Sequence, residues 1–297
     1  MNDAAATGAT TLDAALRAGA ARLAALPELA RGDSARREAE LLLAHVIGCT
    51  RANLLAHADA TLNPERGAAF GTLIARRAAG EPFAYLTGQR DFWSLTLRVT
   101  PAVLVPRPET ELVVERALAL RDAGPADVVD LGTGSGAIAI ACAVERPAWR
   151  IVATDASPDA LAVAGANARA AGCRNLRCIH GSWYQPLAGA RFDLILGNPP
   201  YVESGDPALA THGLPFEPQS ALASGRDGLD ALRAIIADAP AHLRPGGWIV
   251  LEHGATQGPA VAKLLEEAGL THVRCHTDLA GLPRVTEAQK DPAHGTV

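Results

Sequence analysis

The spacing of hydrophobic and polar positions changes character once along this chain of 297 residues. Up to about residue 80 the apolar positions recur at helical spacing. Leu12–Leu26 carries such a face behind Thr11, an expected N-cap. Ser34 is the expected cap of a helix over Ala35–Ile47, with Leu41, Leu42, Ala44 and Val46 on its apolar side. Asn63-Pro64 joins a capping residue to a proline at the first helical position, opening a helix to about Arg77 that Gly80-Glu81-Pro82 ends. The pattern predicts a small helical bundle over residues 1–80, better suited to recognising a partner than to catalysis.

Strand behaviour follows. Apolar and polar residues alternate strictly over Trp93–Val99, Ala102–Val105 continues extended, and Pro106-Arg107-Pro108 breaks the pattern before a helix from near Thr110. Residues 81–108 are therefore expected to form a hairpin linking two domains. From residue 126 strands and helices alternate. The strands are expected at Asp127–Leu131, Arg150–Thr154, Leu176–His180, Phe192–Leu196, Gly247–Leu251 and Thr271–Thr277. The helices are expected at Gly136–Glu145, Pro158–Ala171, Leu229–Ala239 and Ala255–Ala268. Such alternation builds an α/β domain, here residues 109–297, with a mostly parallel sheet covered on both faces.

Composition narrows the function. Twenty-seven Lys and Arg against 32 Asp and Glu give a formal net charge of −5. Residues 1–85 hold nine of each sign, so the acidic excess falls in the second part. No basic stripe suited to a phosphate backbone is present, which argues against duplex nucleic-acid binding. No apolar run approaches the ~18 residues of a membrane helix, and Met1 to Leu12 lacks a secretory pattern, so a cytoplasmic protein is expected. Five cysteines without a Cys-x-x-Cys pair argue against a disulfide framework. Cys173/Cys178/His180 and His272/Cys275/His276 lack ligand spacing, and no metal site is assigned.

The candidate chemistry sits at strand ends. Asp130-Leu131-Gly132-Thr133-Gly134-Ser135-Gly136-Ala137 closes the first strand of the α/β domain with a glycine loop, which lets a ligand approach a helix N-terminus closely. The loop also satisfies a dinucleotide fingerprint, so it does not by itself separate NAD from S-adenosylmethionine. Asp130 favours the latter, because an acid there suits a sulfonium and opposes a pyrophosphate. Asp155, ending the second strand, is placed to accept hydrogen bonds from ribose hydroxyls of either ligand, or to cap the next helix.

The fourth strand delivers Asn198-Pro199-Pro200-Tyr201 to the same carboxyl edge. An amide or amino nitrogen resists methylation because its lone pair is delocalised. The Asn198 side-chain carbonyl and the Pro199 backbone carbonyl offer two acceptors for its N–H groups, which draws that lone pair out of conjugation. The prolines stiffen the loop, and Tyr201 presents a flat face to a planar group.

At these residues the chain resembles the class I S-adenosylmethionine-dependent methyltransferases, and most closely the release-factor glutamine N5-methyltransferases (the HemK/PrmC family). The resemblance extends through Gly80–Gly88 and Asp91-Phe92-Trp93, Val105–Glu111, Phe216–Leu222, Asp227–Asp230 and Asp278–Gly281, and covers roughly Arg36 to Arg284. It implies a Rossmann-like mixed seven-stranded sheet with a helical substrate-recognition domain in front. It implies S-adenosylmethionine as methyl donor, held by Asp130, Gly132, Thr133, Gly134, Ser135, Gly136 and Asp155, with Trp183 beside the adenine. Asn198 would touch cofactor and substrate, and Asn198, Pro199, Pro200 and Tyr201 would hold the glutamine of the Gly-Gly-Gln motif in class I peptide chain release factors. A monomer is expected. The polar run Val285–Lys290 departs from the family's usual last strand and leaves that strand's length open. The competing readings are an adenine-N6 nucleic-acid methyltransferase using the same four residues and an NAD-dependent oxidoreductase, which leaves Asn198–Tyr201 unexplained.

Overall fold

The computed structural model describes residues 10–30, 33–211 and 213–292, and the chain divides into two units at Gly88/Gln89. The stretch 1–9, which carries most of the segment read for a secretory signal, lies outside the described residues.

The first unit is helical. It contains α1 (Leu12–Leu23), α2 (Ser34–Ile47), α3 (Arg51–Ala56), α4 (Pro64–Ala78) and α5 (Phe83–Thr87). Thr11 caps α1 by accepting from the Ala14 N–H, and Asn63 caps α4 by accepting from Glu65 and Arg66. Ser34 does not act as the expected cap: it is the first residue of α2, and Asp33 occupies the N-cap position without a side-chain hydrogen bond. Leu16, Leu23, Leu42, Leu43, Phe70 and Ile74 form the core. At Gly19 a Cβ would come within 2.8 Å of the Phe70 ring, so the glycine lets α1 and α4 pack closely. Arg77, 6% exposed, is neutralised by Glu38 and Glu28 from the other side of the bundle.

The second unit begins with an antiparallel hairpin, β1 (Gln89–Phe92) and β2 (Leu95–Arg98). The alternation over Trp93–Val99 is thus not one strand. Trp93 turns the chain at φ 56, its N–H donating to Glu111 and its indole to Glu145. Ala102–Val105 is irregular rather than a strand. The expected connecting segment 81–108 is divided at Gly88, with α5 in the first unit and the hairpin in the second.

Strands and helices then follow in the order α6 (Glu111–Leu120), β3 (Asp127–Leu131), α7 (Ala137–Glu145), β4 (Arg150–Asp155), α8 (Pro158–Ala170), β5 (Leu176–His180) and β6 (Phe192–Gly197). The unit ends with α9 (Asp230–His242), β7 (Leu243–Glu252), α10 (Gly258–Glu267), β8 (Thr271–Thr277) and β9 (Pro283–Gln289). The sheet is seven-stranded, in the order β5-β4-β3-β6-β7-β9-β8. The pairs from β5 through β7 are parallel, and β9 runs antiparallel to both β7 and β8. This is the Rossmann-like mixed sheet expected. Its central strands carry near-continuous apolar runs because helices cover both faces, with Val128, Leu194 and Leu196 serving one core and Val129, Leu131 and Ile195 the other.

The last strand is complete despite its polarity. Val285 to Ala288 are all buried, with Glu287 paired to Arg116 and His276, and Thr286 hydrogen-bonded to His253. Among the described residues no helix is long and apolar enough to cross a membrane.

Candidate functional site

The carboxyl ends of β3, β4 and β6 open onto a cavity of about 510 Å³. Reversal of strand order between β4 and β6 about β3 creates this crevice, the position where open α/β sheets hold ligands. Gly132, Thr133, Gly134, Ser135, Asp155, Trp183, Asn198 and Pro200 all line it. Asp130, Gly136, Pro199 and Tyr201 are not on its wall, although each adjoins a residue that is or supports the loop behind it.

The three loop glycines serve different ends. All have positive φ, at 73°, 55° and 87° for Gly132, Gly134 and Gly136. Around Gly134 nothing lies within 4 Å of a built Cβ, so its backbone faces open space at the cavity. At Gly132 a Cβ would meet the Trp183 ring, and at Gly136 it would lie 2.7 Å from Ile140 and 3.3 Å from Ala164. Gly136 therefore permits the approach of α7 and α8 rather than of a ligand.

Asp155 ties the loop to the next strand. Its carboxylate accepts from Gly134 N–H at 2.9 Å and from Ser157 N–H at 2.8 Å. Ser157, not Asp155, caps α8 by accepting from the Ala160 N–H. Asp130 is 1% exposed beneath the loop, receives the Thr133 hydroxyl at 2.6 Å, and leaves its Oδ1 unpaired. Burial pushes its carboxyl up to about 7, with the Thr133 hydrogen bond opposing that rise. Trp183 stands at φ 48, and its carbonyl accepts from the Thr154 hydroxyl at 3.1 Å.

A support that sequence patterns do not reveal comes from Asn167 on α8. Its side chain accepts from Arg98 N–H at 2.8 Å and donates to the Arg98 carbonyl at 2.9 Å and to the Ser135 carbonyl at 2.8 Å. A second comes from Glu217, 4% exposed, which accepts from Val105 N–H at 2.9 Å and pairs with Arg107. It pins the segment carrying Pro218, Ser220 and Ala221 over the cavity.

At the end of β6 the Asn198 amide donates from Nδ2 to the Thr110 hydroxyl at 3.1 Å. Tyr201 is held at both ends. Its hydroxyl donates to Glu252 at 3.1 Å, and its carbonyl accepts from Gln257 at 3.0 Å. Gly228, at φ 73, passes so near that a Cβ would fall 2.2 Å from the Tyr201 carbonyl oxygen. Thr110 and Glu217 fall in segments that carry the resemblance but have no role assigned by it, and Glu252 and Gln257 read in sequence as ordinary strand-end and helix residues. Only the fold brings them to the loop.

A parallel sheet with a reversing last strand, a glycine turn after β3, an acid ending β4 and Asn-Pro-Pro-Tyr after β6 define a methyltransferase of the Rossmann-like class. Comparisons with known proteins agree. Residues 110–274 match the family described as the methyltransferase small domain, and residues 14–88 match the PrmC N-terminal domain. The sheet resembles that of a methyltransferase from Pyrococcus furiosus, at a TM-score of 0.52 and 18% identity over 73% of this chain and 97% of that one.

Among curated proteins, the release factor glutamine methyltransferase of Xylella fastidiosa (strain Temecula1) is 52% identical over 84% of this chain and 92% of its own length. Those of Pseudomonas aeruginosa and Vibrio cholerae are 46% and 42% identical, over 88% and 94% of this chain and 95% and 96% of theirs. The chain belongs to the release factor glutamine methyltransferase family.

Proposed function

We propose that this protein transfers a methyl group from S-adenosylmethionine to the side-chain amide N5 of the glutamine in the Gly-Gly-Gln motif of class I peptide chain release factors, in the cytoplasm where translation terminates. The observation that carries the reading is the placement of Asn198 on the wall of the cavity that the glycine loop also lines, in a chain of this family.

The residues present fit the donor. Gly134 leaves room for close backbone approach, Asp155 retains acceptor capacity at the end of β4, and the unpaired, buried Asp130 carboxyl lies behind the loop as a counter-charge for a cation. Trp183 offers an aromatic wall. Bound S-adenosylmethionine supplies an electrophilic methyl group. Gly132 to Ser135, Asp155 and Trp183 orient the donor. Gly136 acts through the shape it allows the loop.

The chain's part at the acceptor is positioning. With Nδ2 engaged by Thr110, Asn198 has its Oδ1 left to receive an N–H of the substrate amide. The Pro199 carbonyl is the second acceptor, and Tyr201 packs against the amide plane. Two fixed acceptors localise the nitrogen lone pair. Once methylated, the amide nitrogen is acidic and its proton can leave to solvent. Orientation of this kind supplies up to about 7–11 kcal/mol of a barrier.

Incubation with labelled S-adenosylmethionine and release factors carrying Gln or Ala in the Gly-Gly-Gln motif tests the assignment. Label is expected only on the Gln protein. Transfer to nucleic acid instead would reinstate the adenine-N6 reading.

A further inference from the structure

The two most exposed large hydrophobic side chains among the described residues share one turn. Leu279 is fully exposed and Leu282 is 47% exposed, both in the tip that joins β8 to β9. Single apolar side chains on a surface are ordinary, but two in one short turn concentrate apolar area at a single point.

The turn is built to hold them there. Asp278 Oδ1 accepts from the Ala280 N–H at 2.9 Å and the Leu282 N–H at 3.0 Å. The Asp278 backbone accepts from the Gly281 N–H and donates to the Leu282 carbonyl, both at 2.9 Å. Gly281 supplies the φ of 78° that closes the turn, and Pro283 opens β9 while restricting the backbone of Leu282 before it. Asp278 Oδ2 pairs with Arg284 Nε at 3.3 Å, so the two charges at the base of the tip answer each other. A rigid tip with its charges already matched loses little freedom and little solvation on association.

Strand register sets where the tip stands. Gly197, the last residue of β6, pairs with Leu251 of β7, Glu252 pairs with Val285 of β9, and the His253 N–H donates to the Arg284 carbonyl at 2.9 Å. The start of β9, and the turn before it, therefore lie at the same carboxyl edge as Asn198–Tyr201. Two strand spacings separate β9 from β6, about 10 Å. A standard protein interface covers about 800 Å² of each partner, a disc about 30 Å across. A folded protein that brings a glutamine to Asn198 thus covers this tip as well, whereas a small substrate would leave it bare. A second copy of this chain seated on the tip would cover the same edge and bar a protein substrate from Asn198.

We propose that the Asp278–Pro283 turn is a docking surface for the release-factor domain that carries the Gly-Gly-Gln glutamine, with Leu279 and Leu282 as its apolar anchors. This rests on the proposed glutamine-methyltransferase reading. It gives the catalytic unit a substrate contact of its own, separate from the helical unit.

The test uses the intact protein and purified class I release factor at saturating S-adenosylmethionine, comparing L279S/L282S and L279M/L282M with the unmodified chain. The serine pair is expected to raise KM for the release factor by about 10- to 100-fold, the scale of losing two buried leucine contacts. Its kcat and its donor Kd should stay within about twofold, as for binding shared by ground and transition states. The methionine pair, which keeps apolar volume, should stay near the unmodified KM. L279S alone, at a fully exposed side chain, should raise KM about fivefold and keeps the comparison valid if the double variant loses stability. If the unmodified protein transfers no methyl to release factor, the parent reading fails. If it does, and the serine variants keep their KM, or the methionine pair loses as much as the serine pair, the docking role alone is overturned. A dimer in sedimentation that the serine pair dissolves without a change in KM would assign the tip to a second copy instead.

Discussion

A Cβ added to Gly132 would lie 3.0 Å from Cζ3 of Trp183. The turn that follows β3 and the aromatic residue that follows β5 thus meet with no space for a methyl group between them. Both line the cavity, so each helps set the other's position there.

Gly132→Ala is expected to cost about 1–3 kcal/mol, combining the positive φ of 73° with the Trp183 contact. The contact part alone should vanish in a Trp183→Ala background. A double-mutant cycle on urea unfolding should therefore return a coupling of about 0.5–1 kcal/mol. Additive costs would show that the ring yields freely.

Asn198→Ala is expected to reduce the rate of methyl transfer by about 10²–10³-fold or more, the scale of losing one transition-state hydrogen-bonding group. Its structural cost is a single side-chain bond to Thr110, about 0.5–1.5 kcal/mol. Single-turnover rates alongside unfolding midpoints separate the two effects. A near-normal rate contradicts the proposed role of Asn198.

Stability should fall as pH rises from about 4 to about 7. Asp130 and Glu252 both have carboxyls raised to about 7 by burial, so the folded chain holds protons that the unfolded chain releases. Their contribution is full below the ordinary carboxylate range and is lost through pH 7, with a slope of at most about 1.4 kcal/mol per pH unit for each proton. Asp130→Asn and Glu252→Gln should each flatten the curve. Binding a cationic donor should offset the loss at high pH in the unmodified protein, by favouring ionised Asp130, and should do so less in Asp130→Asn. Thermal unfolding across this range, with and without S-adenosylmethionine, measures all three.

Glu217→Ala removes the acceptor of the Val105 N–H and the partner of Arg107. Because the Arg107 side chain is one-third exposed, the expected cost is about 2 kcal/mol rather than that of a fully buried pair. Freeing the segment over the cavity should also weaken donor binding by about tenfold, as ordering must then accompany binding. Chemical denaturation and equilibrium binding read the two effects independently.

Much of this architecture was legible because β3, β5 and β8 carry strong local patterns, and their bounds at Asp127–Leu131, Leu176–His180 and Thr271–Thr277 match the sequence reading. The glycine loop and Asn198–Tyr201 were legible for a related reason: their residue types are demanded by backbone geometry and chemistry at one place. What escaped depends on distant partners. Trp93 turns the chain because Glu111 and Glu145 hold its N–H groups, against any local turn preference. The polar run of β9 left its length open, yet its Glu287 is neutralised by Arg116. β7 starts at Leu243 rather than Gly247, since Phe192 pairs with Leu243 across a register shift. Thr110 and Asn198 are far apart in sequence, and nothing in either segment names the other.

The three hydrogen bonds that Asn167 makes to Arg98 and Ser135 set a limit on dissecting this chain. An excised catalytic fragment that started after the hairpin would still contain every cavity-lining residue, yet Asn167 would lose its Arg98 partners and hold the donor loop by one bond alone. Trimming for expression or for domain exchange therefore belongs ahead of Gln89, where the fragment keeps the small ribbon that braces its own ligand turn.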